Sequence, residues 1–118
     1  METFRNDPYL QYLEASAFSS ILSVETQINR RSTKNFWTNS GQTLKKMDDA
    51  LRACASLRQR EEEIPSKTQE MIDRAIEFFS RDPKRLIIAV SHLSEIDSNY
   101  DATRLMTKVG EFLEAQKQ

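Results

Sequence analysis

Only two glycines, Gly41 and Gly110, and three prolines, Pro8, Pro65 and Pro83, punctuate this chain of 118 residues. A β-rich domain of that length turns often, and its turns draw on glycine for positive φ. So few glycines leave helices as the expected structure. The apolar residues agree. Leu10, Leu13, Ala17, Ile21, Val24 and Ile28 follow one another at intervals of 3, 4, 4, 3 and 4, which is the period of one helix face. Phe18 and Leu22 widen that face, so the first helix is expected to touch two neighbours. Tyr9 and Tyr12 are expected at its edge with their hydroxyls outward.

The start signals divide the chain. Asp7-Pro8 pairs a capping acid with proline at the first helical position, where the missing N–H costs nothing. Arg81-Asp82-Pro83 repeats the signal. Asn39 with Gln42, and Ser66 with Gln69, have the spacing of capping boxes. Ser98 and Asn99 offer a cap for a last helix, with Asp101 favourable in its first turn. The second helix, over about 41–63, carries Leu44, Met47, Leu51 and Cys54, with Ala50, Ala53, Ala55 and Leu57 beside them. Lys45–Asp49 and Asp48–Arg52 are opposite charges at i,i+4 on its outer side. Its end, RQREEE, sets acids against the negative end of the helix dipole, so fraying is expected there. The third helix carries Met71, Ile72, Ala75, Ile76 and Phe79, flanked by Phe78, and the last carries Ala102, Leu105, Met106, Val109, Phe112 and Leu113. The expectation is one domain over residues 1–118: an all-α, compact antiparallel bundle of about five helices. Residues 1–6 read as a flexible arm and 30–40 as a loop holding an aromatic anchor.

The most apolar stretch is RLIIAVSHLSEID, residues 85–97, where Leu86, Ile87, Ile88, Ala89 and Val90 are consecutive. A helix that is apolar on nearly every side belongs in the middle of a bundle. This one is therefore expected to be the central helix, packed by the others.

Composition excludes several classes. The longest apolar run, Leu86–Val90, falls far short of the ~20 residues that span a bilayer. One cysteine, Cys54, cannot form an internal disulfide, and its neighbours Leu51 and Leu57 suggest a small buried apolar side chain. With no signal-peptide pattern, a reducing cytoplasm is the expected compartment. One histidine and one cysteine far apart do not make a zinc site, so no metal or cofactor is expected. Glu61-Glu62-Glu63 reads as a solvated run. Glycine-rich phosphate loops have no glycines to build them.

Charge is segregated. Residues 1–29 hold one base and four acids, residues 30–60 eight bases and two acids, and residues 61–118 eight bases and twelve acids. The basic middle is Arg30, Arg31, Lys34, Lys45, Lys46, Arg52, Arg58 and Arg60. Interleaved with Phe36 and Trp37, it could contact phosphates beside a stacking platform. The near-neutral overall charge and the lack of a recognition-helix motif favour the other reading, in which the block neutralises the acidic ends in the bundle or in an oligomer. Trp37 is either a plug at one end of the bundle or, with Phe36, an interaction hot spot.

Arg85 and His92 stand seven residues apart, nearly two helical turns, and so project from one face. That Arg-x6-His spacing on a late helix of a bundle resembles the ribonuclease motif of HEPN domains. The resemblance implies RNA cleavage at a dimer interface, with the histidine moving a proton and the arginine stabilising phosphate. It covers eight residues, and Leu86 stands where the family usually has a polar residue. The side of the helix bearing Arg85 and His92 is expected to be sealed by another helix.

The function expected from these features is non-enzymatic protein binding: a small adaptor, assembly factor or structural subunit, with self-association as a homodimer in view. Its contacts are expected at Phe36, Trp37, Arg30, Arg31, Lys34, Lys45, Lys46 and Arg52. The alternatives are a nucleic-acid-binding protein using residues 30–60 and a HEPN-like ribonuclease using Arg85 and His92.

Overall fold

The computed structural model describes residues 7–30 and 33–117, the side chains of Thr33 and Lys34 excepted. Among these residues there are six helices and no strand: α1 (Pro8–Arg30), α2 (Thr33–Thr38), α3 (Gly41–Gln59), α4 (Ser66–Ser80), α5 (Pro83–Ile96) and α6 (Thr103–Gln116). The expected all-α bundle is present, with one helix more than expected. That helix is α2, which replaces the expected loop. Its sequence, TKNFWT, holds no glycine or proline, and Phe36 is buried to 1% exposure, so the core fixes the turn in place. The expected arm, residues 1–6, lies outside the described residues.

Four helices make the frame. α1 packs along α3, α3 against α6, α6 against α4, and α4 back against α1. Arg60 at the end of α3 lies over the ring of Tyr9 at the start of α1, so these two helices run antiparallel. Glu25 of α1 pairs with Arg74 of α4 at 2.6 Å. The expected stripes fill the interior. Leu10, Leu13, Ala17, Ile21 and Val24 meet Leu44, Met47, Leu51, Cys54 and Leu57, then Met71, Ile72, Ala75, Ile76 and Phe79, and finally Leu105 and Val109. Ala50 and Ala53 are buried as well, and such small side chains let α3 approach its neighbours closely. Burial pushes the Cys54 thiol pKa up, as suits a structural cysteine.

The Asp-Pro signals work as read. Asp7 Oδ1 accepts from the Tyr9 N–H at 2.9 Å, and Asp82 Oδ1 accepts from the Arg85 N–H at 3.2 Å. The capping boxes do not form. α3 is entered through Ser40 and α4 through Pro65, neither with a side-chain cap. Gln69 instead donates to Asp73 Oδ1 at 2.9 Å. α6 is entered through Ala102, and Asp101 rather than Ser98 or Asn99 accepts from the Thr103 N–H, at 2.9 Å.

α3 ends at Gln59, short of the expected 63, and it ends sharply. Glu62 N–H donates to Leu57 O at 2.9 Å and Glu61 N–H to Arg58 O at 2.9 Å, with Glu61 at φ 61°. This closure normally uses glycine in the left-handed position. A glutamate there bears the Cβ penalty and sets a negative charge at the negative end of the helix. Glu61→Gly is therefore expected to stabilise the protein by about 1 kcal/mol, read as a higher urea midpoint; a lower midpoint would contradict this account of the turn.

The largest departure concerns α5. It is not central. It crosses one end of the four-helix frame, touching only α4 and α3 among the longer helices to any extent. Leu86 and Leu93 are its buried residues, while Ile87, Ile88 and Ile96 are 52%, 68% and 72% exposed. The reason is geometric. Five consecutive apolar residues spread around a helix rather than along one side: Leu86 is buried with Leu93, Ala89 and Val90 pack partly against the core, and Ile87 and Ile88 are left outside. α5 is held at its end by Lys45, whose Nζ lies 3.1 Å from Asp97 Oδ2. That bond takes Lys45 away from the expected partner Asp49. The other expected pair does form, with Arg52 Nε 3.0 Å from Asp48 Oδ2.

Asp48 is a buried acid under strain of another kind. Its Oδ1 and the nearby Tyr100 hydroxyl oxygen have no hydrogen-bond partner. Burial raises the Asp48 pKa above its ordinary value, offset in part by Arg52; burial and the Asp48 charge likewise raise that of Tyr100. A carboxyl with a raised folded-state pKa penalises folding at neutral pH, and the penalty fades as falling pH protonates it in the folded state. The stability advantage of Asp48→Asn over the wild type is thus expected to shrink from pH 7 to pH 4. Urea midpoints at both pH values check it, and an advantage that grows on acidification would contradict it.

Candidate docking cleft

The end of the bundle crossed by α5 carries a cleft of about 780 Å³. One wall is α5, with Arg85, Ile88, Ala89, His92, Leu93 and Ile96; the other is the corner from Trp37 to Lys46, with Ser23 and Gln27 of α1 at its back. The walls follow from the fold. Pro83 and the Asp82 cap start α5, Leu86 and Leu93 pin it by their inward faces, and the residues one step round the helix are left facing the gap. Gly41 approaches Leu93 here: a Cβ built at Gly41 would lie 3.8 Å from Leu93 Cδ1, an ordinary contact.

The corner is stiffened by rings. Phe36 meets Phe78 edge to face at 4.9 Å and Trp37 at 5.1 Å, and the Trp37 and Phe78 rings stack 15° from parallel at 6.3 Å. Phe79 lies 5.9 Å from Phe36. Trp37 is half-buried. It packs against the rings of Phe36 and Phe78 and also lines the cleft.

The chemistry of the cleft is one-sided. Its charged or titratable lining residues are Lys46, Arg85 and His92, and none of the lining residues is an acid. Arg85 Nε is 3.4 Å from Asp82 Oδ2, and its side chain is half exposed. Asp97, at the far end of α5, is engaged by the Asn99 N–H and by Lys45, which hold its carboxyl below the usual range. The apolar lining is Trp37, Ile88, Ala89, Leu93 and Ile96, with Gln27, Asn39, Gln42 and Thr43 as neutral hydrogen-bonding groups.

The residues expected to bind a partner are thus divided. Phe36 is core. Trp37 and Lys46 line the cleft. Arg30 is exposed at the end of α1. Lys45 and Arg52 are paired with Asp97 and Asp48, Arg58 donates to Gln69 at 3.4 Å, and Arg60 covers Tyr9. Arg31 and the Lys34 side chain lie outside the described residues. Of the described residues of the basic block, Lys45, Arg52, Arg58 and Arg60 thus engage the fold's own side chains. Arg85 and His92, expected to be sealed, are both exposed and share the cleft. No helix reaches over them, because α5 lies at the end of the frame and not inside it. Sequence reading missed Ile88 and Ile96; the signal was the consecutive run itself, which no single packing face can absorb.

Among the described residues, no helix is long and apolar enough to cross a membrane. Comparison with protein-family models, with curated proteins and with solved structures finds no match to this chain.

Proposed function

We propose that this protein is a binding module that engages another protein through the outer side of α5 and the cleft beside it. The observation that carries the reading is the exposure of Ile88 and Ile96, at 68% and 72%, on the rim of the cleft. Scattered single apolar residues are normal on a surface, but apolar residues grouped at a concave site mark an interaction surface. Trp37 supplies an aromatic anchor of the kind that dominates interface energies. An adaptor, an assembly factor or a subunit of a larger complex all use such a surface. The test is paired affinity purification of tagged wild type and of a variant carrying Ile88→Gln and Ile96→Gln. The reading expects a stoichiometric protein with the wild type that the folded variant loses. Identical recovery by both would overturn it.

A second reading is favoured by one observation: Arg85 and His92 open into the same cleft. A HEPN-like ribonuclease would use His92 for proton transfer and Arg85 for phosphate. It expects RNA cleavage by the purified protein, lost in both Arg85→Ala and His92→Ala at unchanged stability. Cleavage that survives either substitution, or that never occurs, sets this reading aside in favour of the first.

A further inference from the structure

The geometry points to an acidic amphipathic helix of another protein as the occupant of this cleft, an inference that rests on the binding-module reading above. Three features define the occupant. The first is charge. Lys46, Arg85 and His92 are the titratable groups on the walls, and no acid lines them, although the chain as a whole carries a net charge of −1. The nearby acids Asp82 and Asp97 are drawn into pairs with Arg85 and Lys45, and Glu95 is exposed on α5 without lining the cleft. The lining therefore presents the Lys46 ammonium and the Asp82-paired Arg85 guanidinium with no acid among them, and it favours carboxylates on what enters.

The second feature is the apolar wall. Ile88, Ala89, Leu93 and Ile96 of α5 line the cleft together with Trp37. A phosphate backbone gains nothing from exposed isoleucines, whereas a helix that sets aliphatic residues at i, i+4 and i+7 uses all of them. The third is length. From Arg85 to Ile96 is about 16 Å along the helix axis, or three turns, enough for a partner helix of similar length to lie alongside. The complementary pattern is a short helix with an aliphatic stripe flanked by Asp or Glu, its stripe over Ile88 and Ile96 and its acids toward Lys46, Arg85 and His92.

The test is selection from a displayed library of randomised 18-residue helical peptides on the wild-type protein, with counter-selection on the Ile88→Gln/Ile96→Gln variant. Selected peptides are expected to combine aliphatic residues at helical spacing with flanking acids. Their affinity is expected to fall more than about tenfold for Lys46→Glu and again for His92→Glu, and to fall as salt rises. Peptides that bind the cleft but carry no acidic bias would overturn the charge argument while leaving the binding module standing. Failure to select any peptide that distinguishes the two proteins would overturn the inference. So would tighter, cleft-dependent binding of a single-stranded RNA oligonucleotide, or a dimer in sedimentation that Ile88→Gln/Ile96→Gln dissociates, since the occupant would then be a nucleic acid or a second copy.

Discussion

Phe36→Ala is expected to cost about 3–5 kcal/mol of stability, the largest effect of any single substitution considered. Phe36 is 1% exposed and touches the rings of Trp37, Phe78 and Phe79 at 5.1, 4.9 and 5.9 Å. Truncation removes the transfer free energy of the ring, leaves a cavity at the end of the bundle, and takes away three aromatic contacts at once. A domain of this size is typically stable by about 5–15 kcal/mol, so the substitution removes a large share of the total. Urea denaturation followed by circular dichroism reads the cost directly. A loss below about 1 kcal/mol, the typical size for a point mutant, would mean that Phe36 does not hold α2 to the frame. It would also return Phe36 to the set of docking residues.

The second large effect is on binding and not on folding. Ile88→Gln with Ile96→Gln is expected to change stability by less than about 0.5 kcal/mol, because neither side chain packs against the frame and glutamine is a good helix former. The same pair of substitutions should weaken the partner captured by the wild type by at least about a hundredfold, since exposed anchors at the centre of an interface are worth about 2 kcal/mol or more each. Leu86→Ala, on the opposite side of the same helix, should do the reverse. Leu86 is fully buried, and its truncation should cost about 2–5 kcal/mol. The contrast between Leu86 and Ile88, two residues apart, separates the structural from the functional side of α5. Calorimetric titration and urea denaturation on the same protein samples give both numbers.

Much of the frame was legible because its helices advertise a face. The interval pattern from Leu10 to Val24 and the set Met71, Ile72, Ala75, Ile76 and Phe79 each mark one helix face, and these are the buried apolar residues of α1 and α4. α5 was misplaced because a consecutive run carries no facing information. Leu86 to Val90 looks the same whether a helix is surrounded or lies at the margin with one row inward. The deciding facts are where α4 ends and where α3 begins, and these depend on contacts distant in sequence. α2 was read as a loop because six polar and aromatic residues show no period, and only burial of Phe36 makes them a helix.

The cleft was half legible. Arg85 and His92 were placed on one face by helical arithmetic, and Trp37 and Lys46 were singled out by residue type. That these four residues line one concavity is a consequence of α5 crossing the end of the bundle where α3 begins. The basic block is spread for a related reason. Sequence proximity gathers Lys45, Lys46 and Arg52, but the helix turns them to different neighbours, and Asp97 and Asp48 claim two of them.

A rival surface exists on α1, where Tyr9, Tyr12, Phe18 and Leu22 are exposed. Amide hydrogen exchange with and without the protein captured by the wild type distinguishes the two most directly. If α5 and its cleft are the docking surface, bound partner slows exchange over residues 83–96 and 37–46 and leaves the first half of α1 unchanged. Protection confined to α1, with α5 exchanging as in the free protein, would contradict the assignment of function to this end of the bundle.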